Sequence, residues 1–165
     1  MGLFDFFKKN RYEEVEDDLA DEEYEVDTVV EDTFAAVAAK CADGDRMDTL
    51  NAHERILYVT QTLEQEINNG GFSQYFFNSS GDLANELIVA FNAIGAHKTA
   101  AICQKALSAF HDTVPTDRPR RQAVMERMHC DKLWEKCDEA FYEYEDDLEA
   151  LNRDFILAHP ASFDR

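Results

Sequence analysis

Residues 131–158 read Asp131-Lys132-Leu133-Trp134-Glu135-Lys136-Cys137-Asp138-Glu139-Ala140-Phe141-Tyr142-Glu143-Tyr144-Glu145-Asp146-Asp147-Leu148-Glu149-Ala150-Leu151-Asn152-Arg153-Asp154-Phe155-Ile156-Leu157-Ala158. At helical pitch, Leu133, Trp134, Cys137, Phe141, Tyr144, Leu148, Leu151 and Phe155 fall in one stripe about 100° wide. The acids Glu135, Asp138, Glu139, Glu143, Glu145, Asp146, Asp147, Glu149 and Asp154 occupy the rest of the circumference. The spacing predicts one long amphipathic helix with a core stripe and an anionic face.

Upstream segments repeat that period. Ile56, Val59, Thr60, Leu63 and Ile67 recur at steps of three or four after Asn51 and Glu54, a capping pair, and predict a helix ending at Asn69-Gly70-Gly71. Leu83, Leu87, Ala90, Phe91 and Ile94 predict the next helix, stopped by Gly95. Ala96, Ala100, Cys103, Leu107 and Phe110 predict its antiparallel neighbour. Pro115 and Pro119 mark residues 111–119 as a linker, and Arg118, Arg120, Arg121 and Arg127 make the following helix basic. No alternating β-branched run is long enough for a sheet. The fold class is all-α: a single compact multi-helix domain over 33–165, opened by the helix former Phe34 to Lys40, with an acidic N-terminal extension over 1–32.

Charge separates those two parts. Of the 165 residues, 35 are Asp or Glu and 16 Lys or Arg, a net charge of -19. The first 32 residues hold three bases against thirteen acids, so more than half of the net charge lies in a fifth of the chain. Twelve acids and no base lie within 13–32, interrupted by Val15, Leu19, Tyr24, Val26, Val29 and Val30. Such a block either stays loosely ordered or docks on a surface. The balance excludes direct nucleic-acid binding through a basic patch. A hydrophobic content of 45% excludes wholesale disorder, and no apolar run approaches the roughly 20 residues that span a bilayer.

The N-terminus does not read as a secretory signal, and Phe6 stands where myristoylation favours Ser or Thr. Cys41, Cys103, Cys130 and Cys137 form no CxxC pair and are expected as reduced, mainly buried thiols of a cytoplasmic protein. His53-Glu54 begins like a zinc-protease helix, but Leu57 stands where the second His belongs. The remaining histidines are scattered, and no phosphate-binding glycine loop or nucleophile elbow is present. No metal, cofactor or catalytic residue is expected. Carboxylates at helical steps of four lie about 6 Å apart along the axis, comparable with successive phosphates on one DNA strand. The acids Glu135, Asp138, Glu139, Glu143, Asp146, Asp147 and Glu149 are therefore the candidate partner-binding face, its partner a basic or DNA-binding protein.

The stretch Glu66-Ile67-Asn68-Asn69-Gly70-Gly71-Phe72-Ser73-Gln74-Tyr75-Phe76-Phe77-Asn78 resembles the NGGFxQYFxN signature of the bacterial DNA-mimic protein C-terminal domain family. Ala93-Ile94-Gly95-Ala96, the segment Ala106 to Phe110, and Leu133 to Phe155 follow in the family's order, so the resemblance covers about 50–158. It implies an all-helical domain, often a homodimer, whose named member occupies the DNA-binding surface of a transcription regulator. The signature residues Asn69, Gly70, Gly71, Phe72, Gln74, Tyr75, Phe76 and Asn78 read as mainly structural: glycines for a tight turn, rings for the core, amides for the turn backbone. A polar pocket around Asn69, Gln74, Tyr75 and Asn78 is the functional alternative. A non-enzymatic DNA mimic leads, beside an immunity or antitoxin-like protein for one cognate toxin and a small-molecule-binding helical domain. The arginine cluster departs from a uniformly acidic surface and is expected to pair with the acidic segment, within the chain or across a dimer.

Overall fold

The computed structural model describes residues 28–163, and among them the chain forms seven α-helices and no strand. The acidic segment up to residue 27 lies outside the described residues. Helix α1 spans Val29–Lys40, α2 Ala52–Phe77, α3 Leu87–Ala93 and α4 His97–Leu107. Then come α5 at Arg118–Met125, α6 at Asp131–Tyr142 and α7 at Leu148–Ala158. Short 3-10 turns cover Met47–Thr49, Ser79–Glu86 and Pro160–Ser162.

Helix α2 is the spine, and its start is written locally. The Asn51 side chain accepts from the His53 and Glu54 amides while the Glu54 carboxylate accepts from the Asn51 amide, a complete capping box. Its apolar stripe buries Leu57, Val59, Leu63 and Ile67 completely or nearly so. Helix α1 lies on this first half, with Phe34 stacked on Tyr58 and Lys40 paired with Glu54 at 2.7 Å. Val30 is buried, so α1 begins four residues before Thr33. A buried hydrogen bond of 2.9 Å from the Thr60 hydroxyl to Asn152 ties α7 to the same half.

At Gly70-Gly71 the spine breaks, and Gly71 has φ +76°. Beyond the break, Phe72, Tyr75 and Phe76 have no exposed surface. The Phe76 ring meets Phe110 and Trp134, each at a centroid distance of 5.1 Å, and the Trp134 indole donates to the Ala106 carbonyl. Helices α3, α4 and α6 close around this aromatic cluster. The segment around Leu83 is a 3-10 turn, and α3 starts only at Leu87.

Residues 131–158 are two helices, not the single one that the periodicity predicts. Helix α6 stops at Tyr142, Tyr144 takes φ +44°, and the Asp147 side chain caps α7 by accepting from the Ala150 amide. Glu143, Glu145, Asp146 and Asp147 crowd like charges into one turn, which opposes helix there, and Asp147 offers a cap just before Leu148. The apolar stripe survives the break because both pieces present it to the same core: Trp134, Cys137, Phe141, Leu148 and Phe155 are all buried. The four cysteines are free thiols, Cys41, Cys103 and Cys137 buried and Cys130 partly so. Burial pushes the Cys103 thiol well above the usual thiol value, far from reactivity. No helix among the described residues is long and apolar enough to cross a membrane.

Candidate functional site

The break in α2 frees backbone groups on both of its sides, and α6 satisfies them. The Phe72 amide donates to Asp138 at 2.8 Å, and the Tyr142 hydroxyl donates to the Ile67 carbonyl at 2.7 Å. A Cβ at Gly71 would strike the Asp138 carboxylate, so glycine is required there by space as well as by φ. Asp138 therefore caps a helix start from a neighbouring helix. Burial raises its pKa above the usual carboxylate value, and the Phe72 amide pulls the other way.

The carboxyl-terminal end of α2 is closed by α5. Arg121 is fully buried, and its guanidinium donates to the carbonyls of Phe76 at 2.6 Å, Asn78 at 2.7 Å and Pro115 at 2.8 Å. The same group pairs with Asp82 at 2.8 Å. Gln122 donates to the Phe77 carbonyl at 2.9 Å. A planar fork of five donors suits a helix end whose last carbonyls lack partners. Gly81 gives it room, since a Cβ there would lie 2.7 Å from the Arg121 Nε. Among the described residues the partners of Arg121, one of the cluster expected to pair with the acidic segment, are the carbonyls of Phe76, Asn78 and Pro115 and the Asp82 carboxylate.

The predicted acidic face divides into two sets. Asp138, Asp146 and Asp147 are spent on helix starts: Asp146 accepts from the Thr99 amide at 2.7 Å and its hydroxyl at 3.0 Å, at the first turn of α4. Glu135, Glu139 and Glu143 are exposed and bond to no other described residue. Glu149 is exposed on α7 and lines a shallow cleft with Glu64 and Asn69. The break at 143–147 means that the seven acids do not share one helix face. On α6, Lys132 and Lys136 are exposed beside Glu135, Glu139 and Glu143, which dilutes the negative potential. Among the described residues acids are dense at the α6–α7 junction, where Glu143, Glu145, Asp146, Asp147 and Glu149 surround Tyr144 in the sequence and Tyr144 bonds Glu64 of α2. Tyr144 donates to Glu64 at 3.1 Å and accepts from Asn68 at 2.7 Å. Burial raises the Glu64 pKa, against the hydrogen bonds it accepts from Tyr144 and Gln61. Lys98 pairs with Glu145 at 2.6 Å on an exposed rim.

The polar signature residues converge on a group that the sequence reading did not single out, Glu66. Its carboxylate accepts from Gln74 at 2.8 Å, from Asn78 at 3.0 and 3.2 Å, and from Ser80. Gln74, Asn78 and Asn69 line a cleft of about 440 Å³ with Glu66. Tyr75 does not belong to it: its ring is wholly buried, its hydroxyl has no hydrogen-bond partner among the described residues, and burial raises its pKa well above the usual phenol value. The spacing of Glu66, eight residues before Gln74, was the available signal, but only the fold across the glycine break brings the two together. Among the described residues no group of three or more His, Cys, Asp or Glu is arranged to hold a metal ion.

The fold and its surface define a class: an all-helical domain that presents exposed carboxylates and a polar cleft. The family model of DMP19-like proteins, a DNA-mimic type, matches residues 48–159, and the chain belongs to that family. The match begins at the turn before α2 and ends just after α7. No curated protein and no solved structure matches the chain.

Proposed function

We propose that this protein is a non-enzymatic DNA mimic that captures a basic, DNA-binding protein through exposed carboxylates of α6 and the α6–α7 junction. The observation that carries the reading is the family match over 48–159, which spans every helix that bears those acids. The surface supports it by the division of its acids. Glu135, Glu139 and Glu143 follow one another at four-residue steps, about 6 Å apart along a helix axis, and stay exposed while neighbouring carboxylates hold the fold together. An excess of -19 over the chain provides the long-range field that steers a basic partner toward them.

The test is capture from the source cell's lysate by the full chain and by a variant with Glu135, Glu139 and Glu143 changed to Lys. These three have no structural bond to lose among the described residues, so helicity should be unchanged. The expected result is DNA-binding proteins retained at low salt, released as screening rises, displaced by duplex DNA, and absent from the variant. Capture that resists both salt and duplex DNA would instead indicate an immunity-type interface, and capture unaltered by the triple change would remove α6 from the proposal.

A further inference from the structure

The cleft of about 440 Å³ beside the glycine break has a definite chemical character. Two carboxylates line it, Glu66 and Asp43, and none of its lining residues is Lys, Arg or His. Such a lining repels phosphates and other anions. The donors on Glu66 are neutral, two amides and a hydroxyl, so they orient its carboxylate without cancelling its charge. Phe34 and Tyr58 add an aromatic pair with centroids 5.8 Å apart and planes inclined by 29°. A carboxylate beside the half-buried Phe34 ring, with no competing base, attracts a cation carried on an apolar stem. The negative field extends beyond this space: a smaller adjoining cleft of about 120 Å³ shares Asp43, Tyr58 and Thr62 and adds Asp45. The Tyr58 phenol has its pKa raised first by burial, then by the neighbouring Cys41, with smaller contributions from Asp43 and Asp45 and a hydrogen bond with Thr62 opposing them.

We propose that this cleft binds an organic cation, a guanidinium or primary ammonium group on an alkyl stem, seated between the Glu66 and Asp43 carboxylates and the Phe34–Tyr58 pair. The same chemistry has two sources, a free amine or the side chain of an arginine or lysine on a bound protein. The site shares no residue with the exposed acids of α6, so it stands or falls apart from the DNA-mimic reading.

Amide NMR titration of the full chain tests it, with agmatine and spermidine as free cations, N-acetylarginine amide as the side-chain probe, and the uncharged N-acetylcitrulline amide as control, all at constant ionic strength. Saturable shifts centred on Phe34, Thr62, Glu66 and Gln74 are expected for at least one cationic probe. Saturation by agmatine or spermidine identifies a free amine, and saturation by the arginine amide alone identifies a protein side chain. Two variants keep the fold: Phe34→Leu retains an apolar group in a half-buried position, and Asp43→Asn suits the φ of +52° there. Each should weaken binding by about tenfold. Equal binding of the citrulline amide, shifts that are linear and spread over the α6–α7 acids, affinity unchanged in both variants, or no shifts at all would overturn the proposal.

Discussion

Asp138 and Arg121 show how much of this domain rests on single side chains reaching across to another helix's broken end. Asp138→Ala removes the acceptor of the Phe72 amide and should cost about 1–2 kcal/mol, the usual loss for a helix cap. Asp138→Asn keeps an acceptor oxygen and should be close to neutral at pH 7, since it also removes a carboxylate that burial disfavours. Urea denaturation of the two variants separates the roles of oxygen and charge. Arg121→Met should cost about 3–5 kcal/mol, because three well-placed carbonyls and Asp82 would lose a shared donor inside the fold. Arg121→Lys should rescue little of it, since an ammonium cannot present the planar fork. At this scale the sequence was legible where partners are close in the chain. Asn51 and Glu54 could be read as a capping box three residues apart. Arg121 looked like one cation among four, and its burial follows from contacts more than 40 residues away, which no local pattern carries.

Helices tell the same story through periodicity. The stripe of 131–158 was correct at Trp134, Cys137, Phe141, Leu148 and Phe155, wrong at Tyr144, which is 41% exposed, and wrong in its continuity, because hydrophobic spacing reports which side faces the core and is indifferent to a turn that preserves the facing. The Gly70-Gly71 break, by contrast, was visible, since paired glycines at the end of an apolar period are a stop in any helix. What the pair did not reveal is that the spine resumes at Phe72 and that α6 repairs both sides of the gap. Asp138 and Tyr142 share that task from one turn of α6, so their contributions should not be independent. Tyr142→Phe alone should cost about 1 kcal/mol, and a double-mutant cycle with Asp138→Ala should show a coupling of at least about 0.5 kcal/mol. A coupling near zero would mean that each half of the break is held separately. Gly71→Ala should be worse than either single change, as it meets a positive φ and the Asp138 carboxylate together.

Over the whole molecule, an excess of 19 negative charges opposes the compact state, and two partly buried carboxylates add to it. Glu64 and Asp138 both have pKa values raised by burial, so each binds a proton more readily in the folded chain than in the unfolded one. Their stabilising contribution is complete below the ordinary carboxylate values and is lost as pH rises through the raised folded values. Repulsion among the surface acids has the same sign, since it is relieved as they begin to protonate. Stability should thus increase as pH falls from about 8 toward about 5. In a thermal melt each kcal/mol recovered is worth about 3 °C for a domain of this size. Added salt separates the two causes. Screening weakens repulsion between exposed charges and leaves partly buried groups largely untouched, so high salt at about pH 8 should recover the surface share of the lost stability. The share that salt does not recover should disappear in the Glu64→Gln, Asp138→Asn double variant. If that variant keeps the full pH dependence at high salt, the two carboxylates are not its origin, and it must come from acids that the folded surface brings together elsewhere.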